Sequence, residues 1–229
     1  MLREVDEALR EDEMRGLMER FGKPLAAAVL IGLALLGGWL WWDSAQKQAA
    51  GERGEQLTVA LDRIEGGNLD VGNTQLAPLA AEQAAGTAAA ARLMQGGIAL
   101  QQNRTADAVK LFSAVAADEG APQPMRDLAT VREIAASFDS LPPATVVARL
   151  KPLAKPGNAW FGPAGELLGL AYLKQGNTAL AGPLFAAIAR DKEAPETLRR
   201  RARQMAGVLG VDAIDDPEKT INEEATPQP

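Results

Sequence analysis

The chain has 229 residues, neither cysteine nor histidine, and 24 basic against 30 acidic side chains, for a net charge of −6. Disulfide staples, nitrogen–sulfur metal centres and Cys/His or Ser/His/Asp catalysis are therefore excluded, and the acidic balance argues against nucleic acid as the main partner. Aromatic residues make up only 4% while alanine is abundant, which favours helices crossing at small residues over a β-sandwich.

Residues 1–23 hold five bases and seven acids, so they do not form a polybasic lipid-binding tail. Leu2, Val5, Leu9, Met14, Leu17, Met18 and Phe21 make an amphipathic stripe that breaks near Asp12-Glu13. Then comes "PLAAAVLIGLALLGGWLWW", Pro24 to Trp42, without a charge. As a helix it would measure about 28 Å at 1.5 Å per residue, close to the roughly 30 Å of a bilayer's hydrocarbon. A signal-peptide core is shorter, about 7–15 residues, and is followed by a small-residue cleavage site. This run ends instead in Trp39, Trp41 and Trp42, rings that favour the headgroup boundary. The spacing predicts a transmembrane helix over 24–42. Its anchoring residues are Pro24, Leu25, Val29, Leu30, Ile31, Leu33, Leu35, Leu36, Trp39, Leu40, Trp41 and Trp42.

Arg10, Arg15, Arg20 and Lys23 precede the span, while only Lys47 and Arg53 follow closely. Positive charge stays cytoplasmic, so residues 1–23 are predicted inside and residues 43–229 outside. A stalk is expected over 43–70, helical across 45–65 with Leu57, Leu61 and Ile64 in phase, and stopped by Gly66-Gly67.

A helical repeat domain is expected over 71–210, beginning with a short helix at about 73–84. Offset by 73 residues, "LQQNRTADAVKLFSAVAADEGAP" (100–122) lies on "LKQGNTALAGPLFAAIARDKEAP" (173–195), with twelve of twenty-three positions identical. Self-similarity at a fixed period marks a repeat architecture, and 73 is roughly twice the 34-residue tetratricopeptide period. Another helical pair should separate the copies; 124–138 and 143–154, split by Leu141-Pro142-Pro143, supply it.

The second copy matches the pattern L-G-x-x-Y, A-x-x-x-F, P through Gly169, Tyr172, Ala181, Phe185 and Pro195. Gly169 and Ala181 are small enough for a close crossing, and Tyr172 and Phe185 fill the space beside it. Gly176 can take the positive φ that ends a helix, and Asn177-Thr178 can cap the next. The first copy is weaker, with Gly96, Ala99, Ala108 and Phe112 at the packing positions and Asn103 in the turn. Gly182-Pro183 falls inside the second helix of copy two, which predicts a late start or a kink. A last helix at 195–209 carries the basic run Arg199–Arg203 on its solvent face. An acidic, proline-bearing tail, expected to be disordered, fills 211–229.

No catalytic, cofactor or metal site emerges. The acidic clusters Glu11-Asp12-Glu13 and Asp215-Asp216 read as solvated charge. Trp160-Phe161 either fills a repeat junction or lines a partner groove.

The leader "VDEALREDEMRGLMERFGK", one span near residue 24 and an alanine-rich tetratricopeptide-like array together resemble the YfgM-type ancillary subunit of the bacterial Sec translocon. The resemblance covers residues 1–210. It implies an all-α, single-pass inner-membrane protein with its amino terminus in the cytoplasm and a tetratricopeptide-like α-solenoid of helical hairpins in the periplasm. The function it implies is a non-enzymatic scaffold, without cofactors, that links protein export to periplasmic chaperones. Its partners would be the lipid bilayer, the Sec translocon and a membrane-anchored periplasmic chaperone of the peptidyl-prolyl isomerase type. A scaffold for cell-envelope assembly or division, and a single-span stress-signalling regulator acting through residues 1–22, are the alternatives.

Overall fold

The computed structural model describes the backbone of residues 2–213 and the side chains of residues 30–213. The cytoplasmic segment proposed over 1–23, the first six residues of the apolar run (Pro24–Val29) and the acidic pair Asp215-Asp216 thus lie outside the described side chains.

Nine helices are seen among the described residues, and no strand. α1 is Leu2–Glu65, α2 Leu69–Ala80, α3 Ala85–Gln101, α4 Thr105–Ala117, α5 Gln123–Ser137, α6 Pro143–Leu150, α7 Phe161–Lys174, α8 Thr178–Arg190 and α9 Glu196–Val208. The helix expected at 73–84 lies about four residues earlier, because Asn68 rather than a later residue opens it. The pair expected between the copies is present as α5 and α6, each opened by a proline at the residue before it. Proline suits that place because its missing N–H would have no intrahelical partner.

The chain divides into two compact units, Met1–Glu55 and Gln56–Pro229. In the first, Leu30, Ile31, Leu33, Leu35, Leu36, Trp39, Leu40, Trp41 and Trp42 are each at least half exposed, from 52% to 75%. Beyond them Asp43 and Lys47 pair at 2.7 Å, one turn apart. Among the described residues no helix is long and apolar enough to cross a membrane.

In the second unit each helix from α2 to α9 packs against its neighbour in sequence, α5 and α6 least closely. Ala60, with Leu57 and Ile64 beside it, joins Leu76, Leu79, Ala91 and Ile98 in one apolar cluster. A larger cluster runs from Val131 and Ile134 through Val146, Leu150, Leu168, Phe185 and Ile188 to Leu198 and Ala206. Buried alanines are frequent in both, so backbones approach closely and aromatic rings fill what remains.

The 73-residue offset reappears atom by atom. A Cβ at Gly169 would stand 2.6 Å from Phe185 Cζ, and one at Gly96 would stand 2.4 Å from Phe112 Cε1. Each phenylalanine therefore occupies the volume that its glycine leaves open. Ala108 and Ala181 are fully buried, as is Ala99, while Tyr172 at the matching position keeps 9% exposure. α7 and α8 run antiparallel, since Gly165 faces Ile188 while Gly169, one turn on, faces Phe185.

The turns repeat as well. Gly176 (φ 72°) and Asn103 (φ 59°) hold the left-handed position after α7 and α3. Asn177 N–H then donates to Tyr172 O at 2.8 Å and Gly176 N–H to Leu173 O at 2.9 Å. Arg104 to Ala99 (2.7 Å) and Asn103 to Leu100 (3.0 Å) repeat the pair, which satisfies carbonyls that a helix end would otherwise leave open. Asn177 Oδ1 accepts from Leu180 N–H at 3.2 Å and caps α8, as expected. Gly176→Ala should lower stability by about 1–2 kcal/mol, the cost of a Cβ in the left-handed region; urea unfolding followed by circular dichroism measures it.

Gly182-Pro183 does not delay the start of the helix. α8 begins at Thr178 and carries Pro183 in its second turn, where the bond to the Ala179 carbonyl has no donor. Gly182 has a tertiary reason: a Cβ there would stand 2.7 Å from Val211 Cγ2. The chain folds back after α9 onto this bare spot.

Candidate functional site

The turn between α8 and α9 and the loop before α7 enclose a cleft of about 430 Å³. Trp160, Pro163 and Pro195 supply apolar wall, and Asp191 and Glu193 bring two carboxylates to one side. Local hydrogen bonds set both rims. Asn158 Oδ1 accepts from Trp160 N–H at 2.8 Å, which turns the chain into α7. Asp191 Oδ1 accepts from Glu193 N–H at 3.1 Å, and Ala194 N–H donates back to Asp191 O at 3.2 Å. The aspartate turn is the repeat of Asp118, whose Oδ1 accepts from Gly120 N–H at 3.0 Å.

The two copies diverge around these turns. In the first, the turn lies directly on α3, and a Cβ at Gly120 would stand 3.4 Å from Ala85 Cβ. In the second, the loop from Lys151 to Trp160 holds the start of α7 away from part of the turn. The approach stays close only at Gly162, where a Cβ would stand 2.7 Å from Leu198 Cδ2. Trp160 lines the cleft while its body packs on the main cluster. Phe161, paired with it on sequence grounds, points inward and is 3% exposed. Adjacent positions at a helix start point to different faces, so one faces the opening and the other the core. Asp191 and Glu193 escaped sequence reasoning as cleft residues; the identity of Asp118 and Asp191 across the copies was the available signal.

Two ion pairs tie packed helices together. Arg149 of α6 grips Glu133 of α5 through both guanidinium Nη atoms, at 2.7 and 2.6 Å. Arg201 of α9 forks onto Glu166 of α7 at 2.8 Å twice. The hydrogen-bonded carboxylate raises both arginines above their ordinary value. Each is already charged at any working pH, so the groups act as fixed cations rather than as acids or bases. Among the described residues no cluster of three or more acidic groups could hold a metal ion. The cleft can therefore offer an apolar seat with a negative rim, a fit for an apolar segment flanked by a base.

Antiparallel hairpins repeating every 73 residues, with a glycine–phenylalanine pair inside each copy, define a helical-repeat protein. The model of the tetratricopeptide repeat-like domain family matches residues 16–205, and the chain belongs to that family. Comparisons with curated proteins and with solved structures gave no match. Domains of this family mediate protein–protein contacts and are typically non-catalytic.

Proposed function

We propose that the chain is a non-enzymatic scaffold, fastened to the inner membrane by residues 24–42, that holds protein partners at the Sec translocon and links export to a membrane-anchored periplasmic chaperone. Membership of the tetratricopeptide repeat-like family carries the scaffold part. The anchor rests on the nine large apolar side chains from Leu30 to Trp42, which the described residues leave exposed. A contiguous exposed apolar surface of this kind requires a bilayer or a partner, because leaving it in water forgoes about 25 cal/mol for each Å². The translocon and chaperone follow from the resemblance in the leader and the order of elements.

Photo-crosslinking in intact membranes tests the reading, with probes in place of Trp41 and Trp160 and mass spectrometry of the adducts. Channel and chaperone subunits are the expected adducts. Division or outer-membrane assembly proteins in their place would transfer the scaffold to envelope assembly. Deleting residues 24–42 should release the chain from alkaline-washed membranes; retention would overturn the anchor.

A further inference from the structure

α9 presents a positive outward face. Leu198, Ala202 and Ala206 turn inward and are at most 5% exposed, so Arg200 and Arg203 stand on the opposite, exposed side. They are three residues apart and hence neighbours on the helix surface, where like charges repel. The other two arginines of this helix are neutralised, Arg199 by Glu196 and Arg201 by Glu166. Among the described residues no carboxylate pairs with Arg200 or Arg203.

The course of the chain after α9 points to what covers this face. Val211 packs on Gly182 of α8, and the Asp212 carbonyl accepts from Arg190 Nη2 at 2.6 Å. Gly182 lies in the first half of α8 and Arg190 ends it, so the chain travels back toward the start of α9. Ala213 is 4% exposed and fixes the point of departure. Residues 214–229 then carry Asp215, Asp216, Glu218, Glu223 and Glu224 against Lys219 alone. Sixteen residues reach about 50 Å when extended, more than twice the roughly 20 Å of a 13-residue helix. Reach is therefore not limiting, and the charges are opposite.

We propose that the outward face of α9, centred on Arg200 and Arg203, is a docking surface for acidic polypeptide, and that residues 214–229 of the same chain are its resident occupant. Single exposed ion pairs are weak, but a tether this short holds the tail at an effective concentration in the mM range, enough to populate a weak complex. An acidic segment of another protein must displace the tail to reach the arginines, so the tail sets a threshold for such partners.

The test uses the full-length protein in uncharged detergent with spin labels on Gly207→Cys and Thr226→Cys. The chain has no other cysteine, and a Cβ at Gly207 meets nothing within 4 Å. A short-distance population is expected at about 20 mM salt, falling about threefold or more at about 500 mM. Arg200→Glu with Arg203→Glu should reduce it as strongly at low salt. Glu223→Gln with Glu224→Gln, which leaves the helical domain untouched, should reduce it too. Distances that ignore salt, or respond to salt but to neither pair of substitutions, would overturn the proposal.

Discussion

Phe185→Ala should lower the stability of the helical-repeat unit by about 3–5 kcal/mol, the usual cost of emptying a fully buried aromatic site. The ring is 0% exposed and occupies the volume facing Gly169. The neighbouring helices cannot close the cavity easily, because Ala181 and Ala186 already bring the backbones together. Urea unfolding read by circular dichroism measures the loss. Gly169→Ala approaches the same place from the other side: its new methyl would lie 2.6–3.0 Å from three ring atoms. Overpacking of this kind costs about 1–3 kcal/mol. Combining Gly169→Ala with Phe185→Leu should cost less than the sum of the two single changes, since the smaller side chain makes room for the methyl. Strict additivity would mean that the two residues do not share one space.

The second large effect concerns the bond between α5 and α6. Arg149→Met leaves the Glu133 carboxylate without its two hydrogen bonds at a site where its side chain is only 11% exposed. Stranding one member of a buried pair costs about 3–5 kcal/mol. The Arg149 side chain keeps 34% exposure, and water screens part of the interaction, so a loss of about 2–4 kcal/mol is expected. The pH dependence has a definite sign. In the native chain the raised Arg149 value means that the stabilisation is complete below the ordinary arginine value and is lost only as pH climbs through the higher folded one. That window lies above any working range, so the native pair holds steadily across neutral pH. Arg149→Met with Glu133→Gln should recover part of the single variant's loss, because glutamine leaves no charge stranded. No recovery in that double variant would show that lost packing of the arginine stem, rather than the stranded charge, is responsible.

These two effects differ in how visible they were beforehand. Gly169 and Phe185, sixteen residues apart, stand in the same relation as Gly96 and Phe112, and the repeated pattern marks all four as packing positions, although only the packed helices show that each phenylalanine meets its glycine. Glu133 and Arg149 sit in the stretch between the copies, where no internal repeat speaks for them. Nothing in a lone glutamate shows that it will face a neighbouring helix, because that depends on the rotation of α5 against α6.

Local chemistry written along the chain determined most of the architecture. The alternation of apolar helical stretches with glycine, asparagine and proline breakers placed α3 to α5 and α7 to α9, since capping and left-handed turns act over a few neighbouring residues. The offset of 73 residues identified both hairpins, because the same close crossing demands the same small and large side chains twice. The uncharged run up to Trp42 likewise stands out by length and composition alone. Tertiary structure decided the rest. It sent Phe161 into the core and Trp160 to the cleft, and it assigned Gly182 to the returning chain at Val211. It also paired Arg199 and Arg201 with carboxylates and left Arg200 and Arg203 facing outward. Those outcomes depend on which surfaces meet when distant helices pack, and the spacing of residues along one helix does not contain that information.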